Sequence, residues 1–192
     1  MGAPVTNTQP SREILDHFER RLGPVQRVES ARSEQGENRG YDLVFYENDE
    51  PPITTVATNG LRFQSITSML PEELVCSLRS EQKHIAQYLT DSIASLIIKN
   101  RRGMEYGAIF QNDQPIIEET QIIGVIAHTS PLFDEAFNLF PNATAPTLQI
   151  ISLVPITAPE VDFVRSEGAD MLFEVFHLNR TNILDVRRRS AV

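Results

Sequence analysis

The stretch from Leu148 to Val164 constrains this chain more than any other, because one short run specifies a strand, a turn and a helix start. Leu148, Ile150, Ile151, Leu153 and Val154 form an apolar, branched run of strand length. Pro155 lacks the N–H that a β-ladder needs, so the strand is expected to end there. Thr157 and Glu160 have the T-x-x-E spacing of a capping box, and Ile156 and Val161 sit where a hydrophobic staple would pack. Phe163 and Val164 continue an apolar face, so a helix is expected to follow Thr157.

Upstream, Ile14, Leu15, Phe18 and Leu22 share one face of a helix predicted over Arg12 to Leu22, with Ser11 as cap and Gly23-Pro24 as stop. The polar segment Glu29 to Gly40 reads as a loop, and Tyr41 to Tyr46 as a strand. A second strand is expected over Ile53 to Thr58, followed by an Asn59-Gly60 turn that supplies positive φ. After a loop over Leu61 to Pro71, Glu73 to Arg79 reads as a strand. Glu81 to Lys99 reads as a long helix capped by Ser80, with Ile85, Leu89, Ile93, Leu96 and Ile97 at helical spacing. Extended segments are expected over Tyr106 to Phe110 and Ile116 to Ala127, a helical turn over Asp134 to Phe140, and a last helix over Asp170 to Leu178. This order implies an α+β fold with a mixed, largely antiparallel sheet packed by helices.

With 192 residues, 41% of them hydrophobic, the chain suffices for one domain with a sizeable core. Residues 1–10 are expected to be a flexible N-terminal segment and 11–192 the domain. MGAPVTNTQPSRE is too polar for a secretory leader, and no apolar run reaches bilayer length, so a soluble, cytoplasmic protein is expected. The single cysteine, Cys76, cannot form an internal disulfide and suits a buried apolar position.

Charge is unevenly spread. Between Arg102 and Arg165 there is no lysine or arginine, while Glu105, Asp113, Glu118, Glu119, Asp134, Glu135, Glu160 and Asp162 contribute eight of the nine net negative charges. An acidic field repels nucleic acid and membrane phosphates and accelerates encounter with a basic protein, so neither nucleic acid nor membrane is an expected partner. Asp113, Glu118, Glu119, Asp134 and Glu135 are the candidate steering group for a partner. Each could equally be an ordinary surface carboxylate that keeps the protein soluble. The basic run Arg187, Arg188 and Arg189 is expected to pair with this acidic surface.

Catalytic signatures are missing. His17, His84, His128 and His177 have no H-E-x-x-H or H-x-H spacing, and no phosphate-binding glycine loop or G-x-S-x-G elbow occurs. Glu118-Glu119 is the tightest carboxylate pair, but on a strand the two would point to opposite faces. No catalytic residue, metal site or cofactor is therefore expected, although a site gathered from distant residues stays open as a third reading.

The run through "VPIT-x-x-E", together with EGADMLFEVF at Glu167 to Phe176 and DVRRRS at Asp185 to Ser190, resembles the Suppressor of fused domain family. ITTVATNGL at Ile53 to Leu61 and ELVCSL at Glu73 to Leu78 fit the same resemblance. It implies a single domain of that fold closed by a pair of helices. Single-domain bacterial members of the family look like immunity proteins of polymorphic toxin systems, and the animal members bind and restrain zinc-finger transcription factors. The resemblance therefore implies a non-enzymatic binding protein whose partner is a cognate toxin, expected from the charge argument to be basic, as a nuclease would be. The alternative is a regulatory scaffold that holds a signalling or transcription-factor peptide by strand addition.

Overall fold

The computed structural model describes residues 9–192. In chain order it contains α1 (Gln9–Leu22), β1 (Val25–Arg32), β2 (Asn38–Asp49), β3 (Pro52–Asn59), β4 (Glu72–Arg79), α2 (Lys83–Asn100), β5 (Ile109–Gln111) and β6 (Ile122–His128). α3 (Glu135–Asn138), β7 (Leu139–Phe140), β8 (Leu148–Thr157), α4 (Ala158–Glu167) and α5 (Ala169–Leu178) complete it. The strands form one sheet in the order β1-β2-β3-β4-β8-β6-β5, with β7 beside the start of β8. Only β4 and β8 run parallel, with Glu72 opposite Gln149 and Val75 opposite Ser152. The expected α+β, largely antiparallel architecture is the one observed.

Every residue of β8 is buried. The strand has neighbours on both edges and helices on both faces, which is why its sequence reads as a nearly continuous apolar run rather than an alternating one. Elsewhere the period of two decides which face a residue serves. Leu43 and Phe45 join Leu74, Cys76 and Leu78 under α2, whose Leu89, Ile93 and Ile97 complete that core. Val44 and Tyr46 point the other way, to Ile14, Phe18 and Leu22 of α1 and Phe137 of α3. On the same face, Val154 and Ile156 meet Val161 of α4 and Leu172 and Phe176 of α5. Each large apolar side chain buried in this way contributes about 1.5–3 kcal/mol before entropy is counted. Among the described residues, no helix is long and apolar enough to cross a membrane.

Several local expectations needed correction. Pro155 does not end its strand: β8 continues to Thr157, with Pro155 opposite Val125. β4 leaves β8 beyond the Val75–Ser152 pair, so the edge of β8 that would need a donor at Pro155 has no strand beside it. The Pro155 carbonyl is taken instead by the Arg188 guanidinium, at 2.9 Å. The capping box itself is present, with the Thr157 N–H donating to Glu160 Oε2 at 2.9 Å.

Glu29 to Gly40 is not a loop, since β1 runs to Arg32 and β2 starts at Asn38. α1 begins at Gln9, which puts Ser11 inside its first turn rather than at its cap. Residues 1–8 of the expected flexible segment lie outside the described part. α2 follows a 3-10 turn over Ser80–Gln82 and is capped by no side chain, so Ser80 is not its cap. The two extended segments expected after α2 shrink to β5 and β6, with a turn-rich loop over 112–121 between them.

Two glycines are required where they stand. Gly60 takes φ 120 after β3, the positive φ expected of the Asn59-Gly60 turn. A Cβ at Gly124 would lie 2.2 Å from the Phe110 carbonyl oxygen, so only glycine lets β5 approach β6.

Candidate interaction site

The fold divides the candidate steering carboxylates between opposite faces of the sheet. Asp113, Glu118 and Glu119 lie on the β5–β6 loop, where the adjoining Ile116 and Ile117 pack against the core beneath α2. Asp134 and Glu135 sit at the start of α3, whose Phe137 packs with α1 on the other face. Asp134 is engaged by Arg21, with Nε to Oδ1 at 3.1 Å and Nη2 to Oδ2 at 3.2 Å. Glu160 is no surface acid at all. It is fully buried against Arg188, so that terminal arginine meets a buried acid rather than the acidic surface it was expected to pair with.

Glu118 and Glu119 occupy a turn rather than a strand, so the argument that they must face opposite ways does not hold. Glu119 has φ 58, and the loop around it is braced. The Ile116 N–H donates to the Ile122 carbonyl at 2.8 Å, and the Thr120 hydroxyl donates to the Ile117 carbonyl at 2.8 Å. Both carboxylates are exposed, and neither has a cationic partner among the described residues.

Between this loop and α2 runs a groove of about 360 Å³, floored by Ile85, Ile116 and Ile117 and rimmed by Glu81, Glu118 and Glu119. It adjoins a recess of about 110 Å³ that shares Tyr88 and Ile116. Tyr88 is 53% exposed and Leu96 38%, so α2 offers an aromatic side chain to solvent beside unneutralised carboxylates and an aliphatic one in the adjoining recess. Arg187 and His84 also line the groove. The i, i+3, i+4 pattern of α2 made its apolar face legible in sequence; that Tyr88 and Leu96 remain uncovered was not.

Buried polar groups are the other feature that sequence reasoning missed. Glu73 is fully buried and ion-paired to Arg62. It also accepts from the Thr58 hydroxyl at 2.5 Å and from the Gly60 and Leu61 N–H groups at 2.8 and 3.2 Å. Burial holds its carboxyl above the ordinary range, against the pull of Arg62 and these donors. Beside it, Glu72 is buried with no cation, accepting from the Met104 N–H at 3.0 Å and Gln149 Nε2 at 3.2 Å. Burial pushes the Glu72 carboxyl up to about 6.

That shift has a sign that can be tested. The folded state binds the Glu72 proton more tightly than the unfolded chain does, so the stabilising contribution of the protonated form is complete below about 4.5 and disappears as pH rises through about 6. Glu72→Gln removes the ionisation and is expected to gain about 2 kcal/mol over the wild type at pH 7.5 and nothing at pH 4.5. Urea unfolding at the two pH values measures this, and an equal difference at both would refute the assignment.

Among the described residues, no three or more His, Cys, Asp and Glu side chains gather as a metal site. Cys76 is buried, with its thiol pushed up to about 12 by that burial. His17 is buried with Nε2 3.0 Å from the Phe137 carbonyl oxygen, and its pKa is lowered chiefly by that burial. His128 stacks on Phe173, with ring centroids 3.7 Å apart. These are packed, satisfied side chains.

The fold and groove thus define a mixed α+β scaffold with an open, acidic-rimmed face. The sequence matches the family described as Suppressor of fused protein (SUFU) over residues 37–189, and the chain belongs to that family. No curated protein matches it by sequence. Among solved structures, a putative SUFU homolog from Neisseria gonorrhoeae FA 1090 is similar with a TM-score of 0.71 at 16% identity, covering 95% of this chain and 96% of that one. The Sufu-Fu complex is similar with a TM-score of 0.68 at 12% identity, covering 94% of this chain and 91% of that one. Drosophila Suppressor of Fused gives 0.66 at 12% identity, covering 95% of this chain and 51% of that protein, so the present chain spans about half its length.

Proposed function

We propose that this chain is a non-enzymatic binding domain of the immunity type, which neutralises a cognate toxin by direct contact through the face formed by α2 and the β5–β6 loop. The observation that carries the reading is the combination at that face: unpaired Glu118 and Glu119 beside exposed Tyr88 over an apolar floor, with exposed Leu96 in the adjoining recess. Apolar anchors ringed by charge suit protein recognition, with the anchors holding most of the energy and the carboxylates setting encounter rate and partner choice. The charge selects a basic partner, which a nuclease domain would satisfy. The likeness to the Sufu-Fu complex supports binding of a protein by this fold.

Peptide capture by strand addition would need a free sheet edge. β1 is one, but its pairing with β2 has two register shifts, and it carries Arg27, Glu29 and Arg32. Bulges and charges of this kind blunt an edge against further pairing. β5, at the other edge, has three residues. The groove is therefore the better candidate.

The test begins with affinity capture from the native lysate at low and high salt, with captured proteins identified by mass. A basic protein bearing a toxin domain, held less well at high salt, is the expected result. Its affinity should fall about tenfold or more for the Glu118→Lys/Glu119→Lys variant. Tyr88→Ala should cost about thirtyfold if Tyr88 is a central anchor. A partner held at full strength by both variants would sink this reading.

A further inference from the structure

The solvent face of α2 is polarised in charge from one end to the other. Glu81, Glu118 and Glu119 surround its start, where Glu81 lies 3.9 Å from Arg79 and Arg187 also lines the groove. At its other end Lys99, Arg101 and Arg102 are exposed, and none has a carboxylate within ion-pair distance among the described residues. Basic residues suit the C-terminus of any helix, but Glu118 and Glu119 come from a different element, so the dipole of α2 does not account for them. α2 has 18 residues, so its ends lie about 27 Å apart, beyond the screening length of about 10 Å at 0.1 M salt. The two ends therefore do not neutralise each other within one copy.

Between them lie Tyr88, Ser92 and Leu96, which line one recess against β5 and the loop that follows it. Their spacing, continued by Lys99, keeps all of these residues on one side of the helix. Ser92 stands near the middle of α2, with Tyr88 one turn before it and Leu96 one turn after. A second α2 laid antiparallel across this face, with a two-fold axis at Ser92, sets Tyr88 of each copy against Leu96 of the other. The same operation brings the acidic start of each helix to the basic end of its partner, so opposite charges meet at both ends of the contact.

We infer that two copies of this chain pair antiparallel through α2 about a two-fold axis near Ser92, with Tyr88 packed on Leu96 in the middle and Glu118 and Glu119 of each copy meeting Lys99 and Arg101 of the other. The inference does not depend on the toxin reading. It does bear on it, because the pair covers the same face and a partner bound there displaces the second copy. A contact built on one helix pair belongs to the small, transient class, so dissociation on the order of 10–100 μM is expected.

Sedimentation equilibrium of the full chain, at concentrations spanning that range and at low and high salt, is the test. The mass should rise from one chain to two with concentration, and less so at high salt. Lys99→Glu/Arg101→Glu changes residues that the toxin reading does not use, and it should weaken pairing by about tenfold or more. Glu118→Lys/Glu119→Lys should do the same. Mixing the two variants should restore a dimer, because acidic and basic ends again oppose each other in the mixed pair, and a loss caused by misfolding would not recover in this way. A chain that stays monomeric throughout, a dimer indifferent to both reversals, or variants that fail to recover on mixing would overturn the inference. A dimer restored by mixing alongside a lysate capture that yields no toxin leaves this inference standing and removes the immunity reading alone.

Discussion

Arg188→Ala is expected to destabilise the protein by about 3–5 kcal/mol, the cost of leaving a buried charge without its partner. Glu160 is fully buried, and Arg188 meets both of its oxygens, with Nη2 2.8 Å from Oε2. The same guanidinium holds the Pro155 carbonyl and lies over the Phe176 ring, 5.0 Å from its centroid. Alanine would therefore strand a carboxylate and a carbonyl and uncover an aromatic face. Hydrogen bonds to Arg188, from the Thr157 N–H and from the Ala191 N–H hold the Glu160 carboxyl below the ordinary range despite burial. Its contribution is present above the ordinary carboxylate value and is lost as pH falls through the lower, folded one. Urea midpoints at neutral pH read the loss, and a double variant with Glu160→Gln and Arg188→Met should recover much of it. A single variant within about 1 kcal/mol of wild type would show that water reaches and compensates the carboxylate.

The second large effect concerns Glu73, whose carboxylate gathers the turn that follows β3. Glu73→Ala is expected to lose about 3–5 kcal/mol, because the Arg62 guanidinium, the Thr58 hydroxyl and the Gly60 and Leu61 N–H groups would all lose their acceptor inside the protein. Glu73→Gln keeps the size and one acceptor oxygen, so its loss should be smaller. Thermal or urea unfolding ranks the two. Hydrogen exchange at Gly60 and Leu61 gives a local check, since those amides should lose protection in the alanine variant. Equal losses for the two variants would mean that packing, not charge and hydrogen bonding, holds the site.

Both clamps show how far the sequence could be read. The run through Thr157 and Glu160 announced a capping box, and the box is there. The same spacing could not reveal that Glu160 also receives an arginine from 28 residues downstream. β1 escaped notice because its residues from Gln26 to Val28 are exposed and it borrows its register from β2. An edge strand solvated in this way shows no alternation of apolar residues to detect. Pro155 misled for a related reason: a missing donor ends a strand only where a neighbour needs it, and the neighbour had already diverged. The five candidate steering carboxylates were visible as charges, but their separation onto two faces was not.

By itself the sequence determined the apolar periods, the turn chemistry at Gly60, the helix start after Thr157 and the family resemblance, since these depend on residues close together in the chain. The tertiary structure decided which carboxylates are buried and which stand free beside Tyr88. The reason is physical: burial and pairing depend on distances across the sheet, and those are set only when strands far apart in sequence are brought side by side.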